Sequence, residues 1–327
     1  MKRLAAVAAL ALGLACGGGA AQAADYELSL AGAGPSSLAY NLAAGVAENT
    51  NTKTKLLRIT AETSAGFVEN IRLVGRGETE LALTGGPDVF NGLRGTGSYK
   101  GEPPYADIRG LAVNYTSAIS WNAREGIAKV EDLVGKTVSV GPPGSALTSM
   151  GELILDAYGI KDKVKILRLS FDESARAFVD GTVDAFVGGP PPYPAVMQAG
   201  AQKKIVVLSL GMEQIRKMQA TSPVVPFTIP AKSYDWMDKE VLTVGFLGYL
   251  IANKSVPDDA VYELLKVNLS PAGVEYLKTN HKVWRIWETP QYIARDGAFA
   301  NEGLKLHPGA VRYWKEQGVT LPAAILP

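Results

Sequence analysis

The feature that most constrains this chain is a succession of segments that occurs in it twice. Tyr26 to Ala31 (YELSLA) reads as a strand, Gly32 to Ser37 (GAGPSS) as a tight loop, and Leu38 to Ala47 as a helix opened by Ser and Pro capping residues. Lys136 to Val140 (KTVSV), Gly141 to Ser145 (GPPGS) and Ala146 to Tyr158 repeat that order. The match continues downstream. Arg58-Ile59-Thr60 leads into a helical stretch and then Gly77 to Gly86 (GETELALTGG), and Arg168-Leu169-Ser170 leads into another and then Gly181 to Gly189 (GTVDAFVGG). In each half a helix stops at a Gly turn, an acidic residue precedes a short apolar strand, and the strand ends in Gly-Gly.

Strands alternating with helices predict an α/β fold: mainly parallel sheets flanked by helices and joined by right-handed crossovers. In such sheets the ligand loops lie at the C-terminal ends of the strands. Both Gly-rich loops and both Gly-Gly ends sit there, so four related loops are expected to face one cleft between two lobes. Ile108 to Trp121 and Leu242 to Ala252 are strand-rich and read as the crossings between lobes. The tail from Pro257 reads as helices that return to the first lobe. The expected division is residues 24–121 and 242–327 in lobe 1, discontinuous in sequence, and 122–241 in lobe 2. A chain of 327 residues suits two lobes better than one small domain.

The N-terminus reads as an export signal. Met1-Lys2-Arg3 is basic, Leu4 to Leu14 is an apolar run too short to span a bilayer, and Ala21-Gln22-Ala23 is a small-x-small cleavage signature. Residues 1–23 are therefore expected to be a signal peptide and the mature chain to be exported. Cleavage after Ala23 removes Lys2, Arg3 and Cys16, the single cysteine, leaving 31 basic against 32 acidic residues and no thiol. A rival reading makes Cys16 a lipid-modified N-terminus. The near-neutral charge and the absence of any like-charge block argue against a nucleic-acid partner.

Little in the motifs supports catalysis or a cofactor. Gly32-x-Gly34-x-x-Ser37 lacks the third Gly of a dinucleotide fingerprint, and Gly135-Lys136-Thr137 precedes a strand where a phosphate-binding loop would follow one. His281 and His307 are far apart in the sequence, and with no Cys in the mature chain they give a metal site little to build on, so neither cofactor nor metal is expected. Small loop residues instead let a ligand approach the backbone, and free N–H groups at a helix start attract an anion. The hydroxyls of Ser37, Thr84 and Ser145 would share that anion, Phe67 and Trp121 are candidate walls, and Arg124 is the cation first suspected of pairing a carboxylate.

Leu73 to Leu83 (LVGRGETELAL), Asp132 to Ser145 (DLVGKTVSVGPPGS), Asp180-Gly181-x-x-Asp184-Ala185-Phe186 and Leu306 to Trp314 (LHPGAVRYW) together resemble the TAXI family, in this order and spacing over about Asp25 to Gly318. Those proteins are the extracytoplasmic solute-binding subunits of tripartite ATP-independent periplasmic (TRAP) transporters. The resemblance implies a two-lobed type II periplasmic binding protein fold and a non-enzymatic receptor; no long heptad run demands a dimer, so a monomer is expected. The resemblance also implies a small organic anion as ligand, such as a dicarboxylate or acidic amino acid, handed to TRAP integral-membrane permease subunits. Carried over, the ligand loops fall on Gly34, Pro35, Ser36 and Ser37 with Tyr40; on Ser64, Ala65 and Gly66; on Thr84, Gly85 and Gly86; on Gly144, Ser145 and Ala146; and near Gly188 and Gly189. A secreted enzyme on the same scaffold, or a receptor reporting to a sensor kinase, are the alternatives.

Overall fold

The computed structural model describes residues 24–327 apart from positions 36, 144, 282, 285–292 and 294–296. The expected signal peptide with Cys16, and the expected ligand residues Ser36 and Gly144, lie outside the described residues. In chain order the strands are β1 Tyr26–Ala31, β2 Leu57–Glu62, β3 Leu81–Gly85, β4 Ile108–Ala118, β5 Ser120–Arg124, β6 Thr137–Ser139, β7 Lys165–Leu167, β8 Ala185–Gly188, β9 Ile205–Val207, β10 Val225–Ile229 and β11 Val241–Asn253. The helices are α1 Leu38–Lys53, α2 Phe67–Arg76, α3 Gly86–Gly92, α4 Ala146–Ala157, α5 Phe171–Val179, α6 Pro194–Gly200, α7 Met212–Gln219, α8 Asp258–Asn268, α9 Pro271–Asn280 and α10 Pro308–Glu316.

The repeat in the sequence is a repeat in space. β1 pairs in parallel with β2 and β3, and β6 pairs in parallel with β7 and β8, so both units have their first strand in the middle. The acidic residue before the third strand has the same task in each. Glu80 Oε2 accepts hydrogen bonds from the Ser29 backbone N–H at 2.9 Å and hydroxyl at 2.8 Å, and Asp184 Oδ2 accepts from the Thr137 N–H at 2.9 Å. Each carboxylate thus satisfies a backbone donor of the central strand, a charge-assisted bond that fixes the third strand beside the first.

The sheets are mixed. They are parallel within the two units, as the alternation of strands and helices implies, and antiparallel where other strands join. β11 runs antiparallel to β3, β4 and β10, and β5 runs antiparallel to β8 and β9. The cause is the crossing. β4 and β11 form one long antiparallel pair, from Ile108 opposite Asn253 to Ala118 opposite Gly245, and β4 leads directly into β5 of the second sheet. Segment 225–245 is shared. Its strands bond to the first sheet through β11, while Val244 packs in the core of the second lobe.

Helix α1 continues past Ala47 to Lys53. Asn49 and Thr50, polar residues that read as a helix end, are fully buried against α8. Asn49 Nδ2 donates to Asn268 Oδ1 at 2.9 Å, and Asn268 Nδ2 donates to Thr50 Oγ1 at 2.7 Å. With all of these groups but Asn49 Oδ1 partnered among the described residues, most of the burial cost is offset and the helix runs on. The first core takes in Leu42, Val46, Leu264 and Trp314 from α1, α8 and α10, so the C-terminal helices pack on the first sheet. The second lobe has one cluster around Trp121 and Ile154 and another around Phe178 of α5, Phe186 of β8 and Val196 of α6. Phe67 touches both the first core and the Trp121 cluster and so marks where the lobes meet.

Candidate functional site

In the first lobe one buried side chain gathers the strand ends. Asn70 is fully buried on α2, and its amide donates to Gly32 O at 2.6 Å, just past β1, and to Leu83 O at 2.7 Å in β3. The next loop is tied to the same place. The Ser64 N–H donates to Ala33 O at 3.3 Å, and its hydroxyl accepts from the Gly66 N–H at 3.1 Å. Gly66, with φ of 127°, caps α2 and sets half-buried Phe67 as its first residue. Asn70 was not singled out in the sequence, although a signal existed. It interrupts the apolar stripe Phe67, Ile71, Val74 at helical spacing, where a polar residue needs a partner.

Ser37 is the N-cap of α1, accepting from the Tyr40 N–H at 3.0 Å, and Ser145 is the N-cap of α4, accepting from the Leu147 N–H at 3.2 Å. In each case the serine oxygen is engaged as acceptor while its O–H stays available as donor. Both serines are half-buried, at helix starts that follow a central strand. Helix starts of this kind favour negative charge. Gly34, Pro35 and Ala65 are on the rim, Pro35 and Ala65 exposed, and the Ala65 N–H donates to the Glu69 carboxylate. On the second lobe, Ala146 opens α4, and Gly188 and Gly189 end β8. The Tyr193 ring closes over Gly189, 2.8 Å from where a side chain there would begin.

Three expected residues stand elsewhere. Trp121 is 1% exposed, and its ring packs over Gly151 of α4, so it belongs to the core and forms no open wall. Arg124 lies at the other end of β5, roughly 13 Å along the strand from Ser120. There its Nε is 3.2 Å from Asp184 Oδ1 and its Nη2 donates to Val183 O at 2.7 Å. It completes the acid cap of the repeat and is not brought to the loops. A surface hollow of about 500 Å³ lined by Glu125, Lys203, Lys204 and Trp236 lies at that same far end, away from the loops. Thr84 is fully buried behind its loop, opposite Tyr249 in the sheet register, and its hydroxyl has no partner among the described residues. Glu302 is buried behind Gly86, and burial pushes its carboxyl up to about 7.

The loops at 32–37, 64–67, 84–86, 141–146 and 188–193 contain no Asp, Glu, Lys, Arg or His. What they offer is backbone N–H groups, serine hydroxyls and rings. That set can hold a small solute by its polar end and enclose the rest, as ligand clefts commonly do.

The fold has known counterparts. The periplasmic binding protein BugD superposes with a TM-score of 0.53 at 12% identity, over 90% of this chain and 99% of that one. The periplasmic aliphatic sulphonate binding protein SsuA from Escherichia coli superposes with a TM-score of 0.47 at 15% identity, over 89% of this chain and 82% of that one. The sequence model described as the NMT1-like family matches residues 30–318. With two mixed α/β sheets in two lobes, the type II periplasmic binding protein fold, this chain belongs to the NMT1-like family.

Proposed function

We propose that the protein is a solute receptor outside the cytoplasm. It captures a small organic anion through a carboxylate in the cleft between its lobes and hands it to a TRAP-type membrane permease. The observation that carries this reading is the pair of helix starts capped by Ser37 and Ser145, one on each unit of the repeat, amid loops without charged side chains. A carboxylate held by N–H and O–H donors from both lobes is bound better when the lobes close, and that difference drives closure. The permease assignment rests on the motif resemblance to the TAXI family, and the export signal at residues 1–23 agrees with it.

A thermal-shift screen of the purified protein against amino acids, dicarboxylates, keto acids and aromatic acids tests the receptor reading. A ligand at 100 times its Kd adds about 2.7 kcal/mol, a shift of several degrees for a protein of this size. Substituting Ser145→Trp fills the start of α4 and is expected to abolish that shift while the unliganded melting point holds. A shift that survives Ser145→Trp would remove this loop from the site.

A further inference from the structure

Helix α5 of the second lobe aligns with α2 of the first in the repeat, and three positions of its first turn carry the match. Phe67, Glu69 and Asn70 recur as Phe171, Glu173 and Ser174. The roles recur too. Glu69 accepts from the Ala65 N–H and Glu173 from the Ser170 N–H at 2.9 Å, while Asn70 binds the end of β1 and Ser174 Oγ lies 2.7 Å from Ser139 Oγ at the end of β6. The repeat therefore places a phenylalanine as first helical residue at the ligand end of each lobe's sheet. Phe171 is half-buried, and its ring meets that of Tyr193 edge-on, with centroids 5.6 Å apart and planes at 87°. Phe171 packs over Gly141 and Tyr193 over Gly189, the two loops that follow β6 and β8. The second lobe thus presents an aromatic wall.

Among the described residues, the counter-charge for a second carboxylate is missing from the same place. The five loops carry no charged residue. The cation that follows β7, Arg168, is held by Glu152 of α4 at 2.5 Å, and Arg124 is held by Asp184 at the far end of the sheet. N–H and O–H donors at the two helix starts suffice for one carboxylate, whereas a second buried carboxylate without a cation is costly. Resting on the receptor reading above, we infer that the ligand is a monocarboxylate with an apolar body, aromatic or branched aliphatic, whose body lies against Phe171 and Tyr193.

The test is calorimetric titration of the purified protein, unfolded in guanidinium and refolded to strip any carried ligand. Its probes are 3-phenylpropanoate, 4-methyl-2-oxopentanoate, glutarate and L-glutamate. At least one of the first two is expected to bind at least ~10-fold tighter than either dicarboxylate, the equivalent of about 1.4 kcal/mol. Phe171→Ala is expected to weaken that probe by about tenfold. Phe171→Arg is expected to narrow or reverse the preference, since it supplies the missing cation. Glutarate or glutamate binding the wild-type protein as tightly as the apolar acids overturns this inference and leaves the carboxylate receptor standing. Silence with all four probes overturns both.

Discussion

The carboxyl group of Glu302 sits in the space that a side chain on Gly86 would occupy: its Oε1 is 2.7 Å from the position a Cβ there would take. Glu302 is 2% exposed, and its own carbonyl accepts from Arg94 Nη1 at 2.8 Å. The glycine that opens α3 just after β3 is thus required by a packed carboxyl, whatever its role toward a ligand. Gly86→Ala is expected to destabilise the fold by about 1–3 kcal/mol, the usual result of overpacking. In urea unfolding, Gly86→Ala combined with Glu302→Ala should cost clearly less than the sum of the two, because the clash is shared. Strict additivity would show that the two groups do not meet.

Glu302 also gives the stability a pH signature. Burial raises its folded pKa from 4.5 to about 7, with the Tyr249 hydroxyl and Arg94 as the polar neighbours that oppose the rise. A raised carboxyl pKa means the folded state holds its proton longer than the unfolded chain does. The contribution is fully present below about pH 4.5 and is lost as pH rises through 7. Glu302→Gln removes the titration. The stability difference between wild type and Glu302→Gln is therefore expected to move against the wild type by about 3 kcal/mol from pH 4.5 to 7.5. Urea midpoints at four or five pH values measure it, and parallel curves would mean the carboxyl titrates normally.

The parts of the fold that could be read in advance are those set by local pattern. The doubled strand, Gly loop and helix are visible in the sequence, and so is the acid before each third strand, although only the structure shows Glu80 and Asp184 reaching back to the central strands. What depends on long-range pairing was not visible. Nothing local in Ile108 to Ala118 or Val241 to Asn253 reveals that they pair antiparallel and make both sheets mixed. Arg124 could not be read as bound because its partner, Asp184, is 60 positions away in sequence and adjacent only in the sheet. Phe171 was passed over for a related reason. A phenylalanine in the first turn of an amphipathic helix looks like core, and its correspondence to Phe67 emerges only when α2 and α5 are laid side by side.

Asn70 holds the first lobe's loops at their roots, and the cost of losing it is set by what it leaves behind. In Asn70→Leu the carbonyls of Gly32 and Leu83 keep their burial and lose their donor. Each unsatisfied buried group costs about 1–3 kcal/mol, so a loss of about 2–4 kcal/mol is expected in chemical unfolding. Asn70→Asp should be worse at neutral pH, because it turns a carboxylate toward two carbonyl oxygens. If Asn70→Leu unfolds within 0.5 kcal/mol of wild type, roughly the scatter of surface substitutions, Asn70 does not tie β1 to β3.

Thr84 separates a structural hydroxyl from a ligand-binding one. Its Oγ1 is sealed within the fold and has no partner among the described residues, while Ser37 and Ser145 are only half covered. An unpaired buried hydroxyl is unfavourable, and valine has nearly the same shape without it. Thr84→Val is therefore expected to raise stability by about 1 kcal/mol. Affinity for whichever carboxylate probe the protein takes should change less than about twofold if the hydroxyl stays sealed when the lobes close. The opposite result is equally informative: a protein no more stable than wild type that binds its probe tenfold more weakly would mean that closure turns Thr84 outward. The loop from Thr84 to Gly86 would then be a moving part of the site, and Thr84 a direct ligand to the carboxylate.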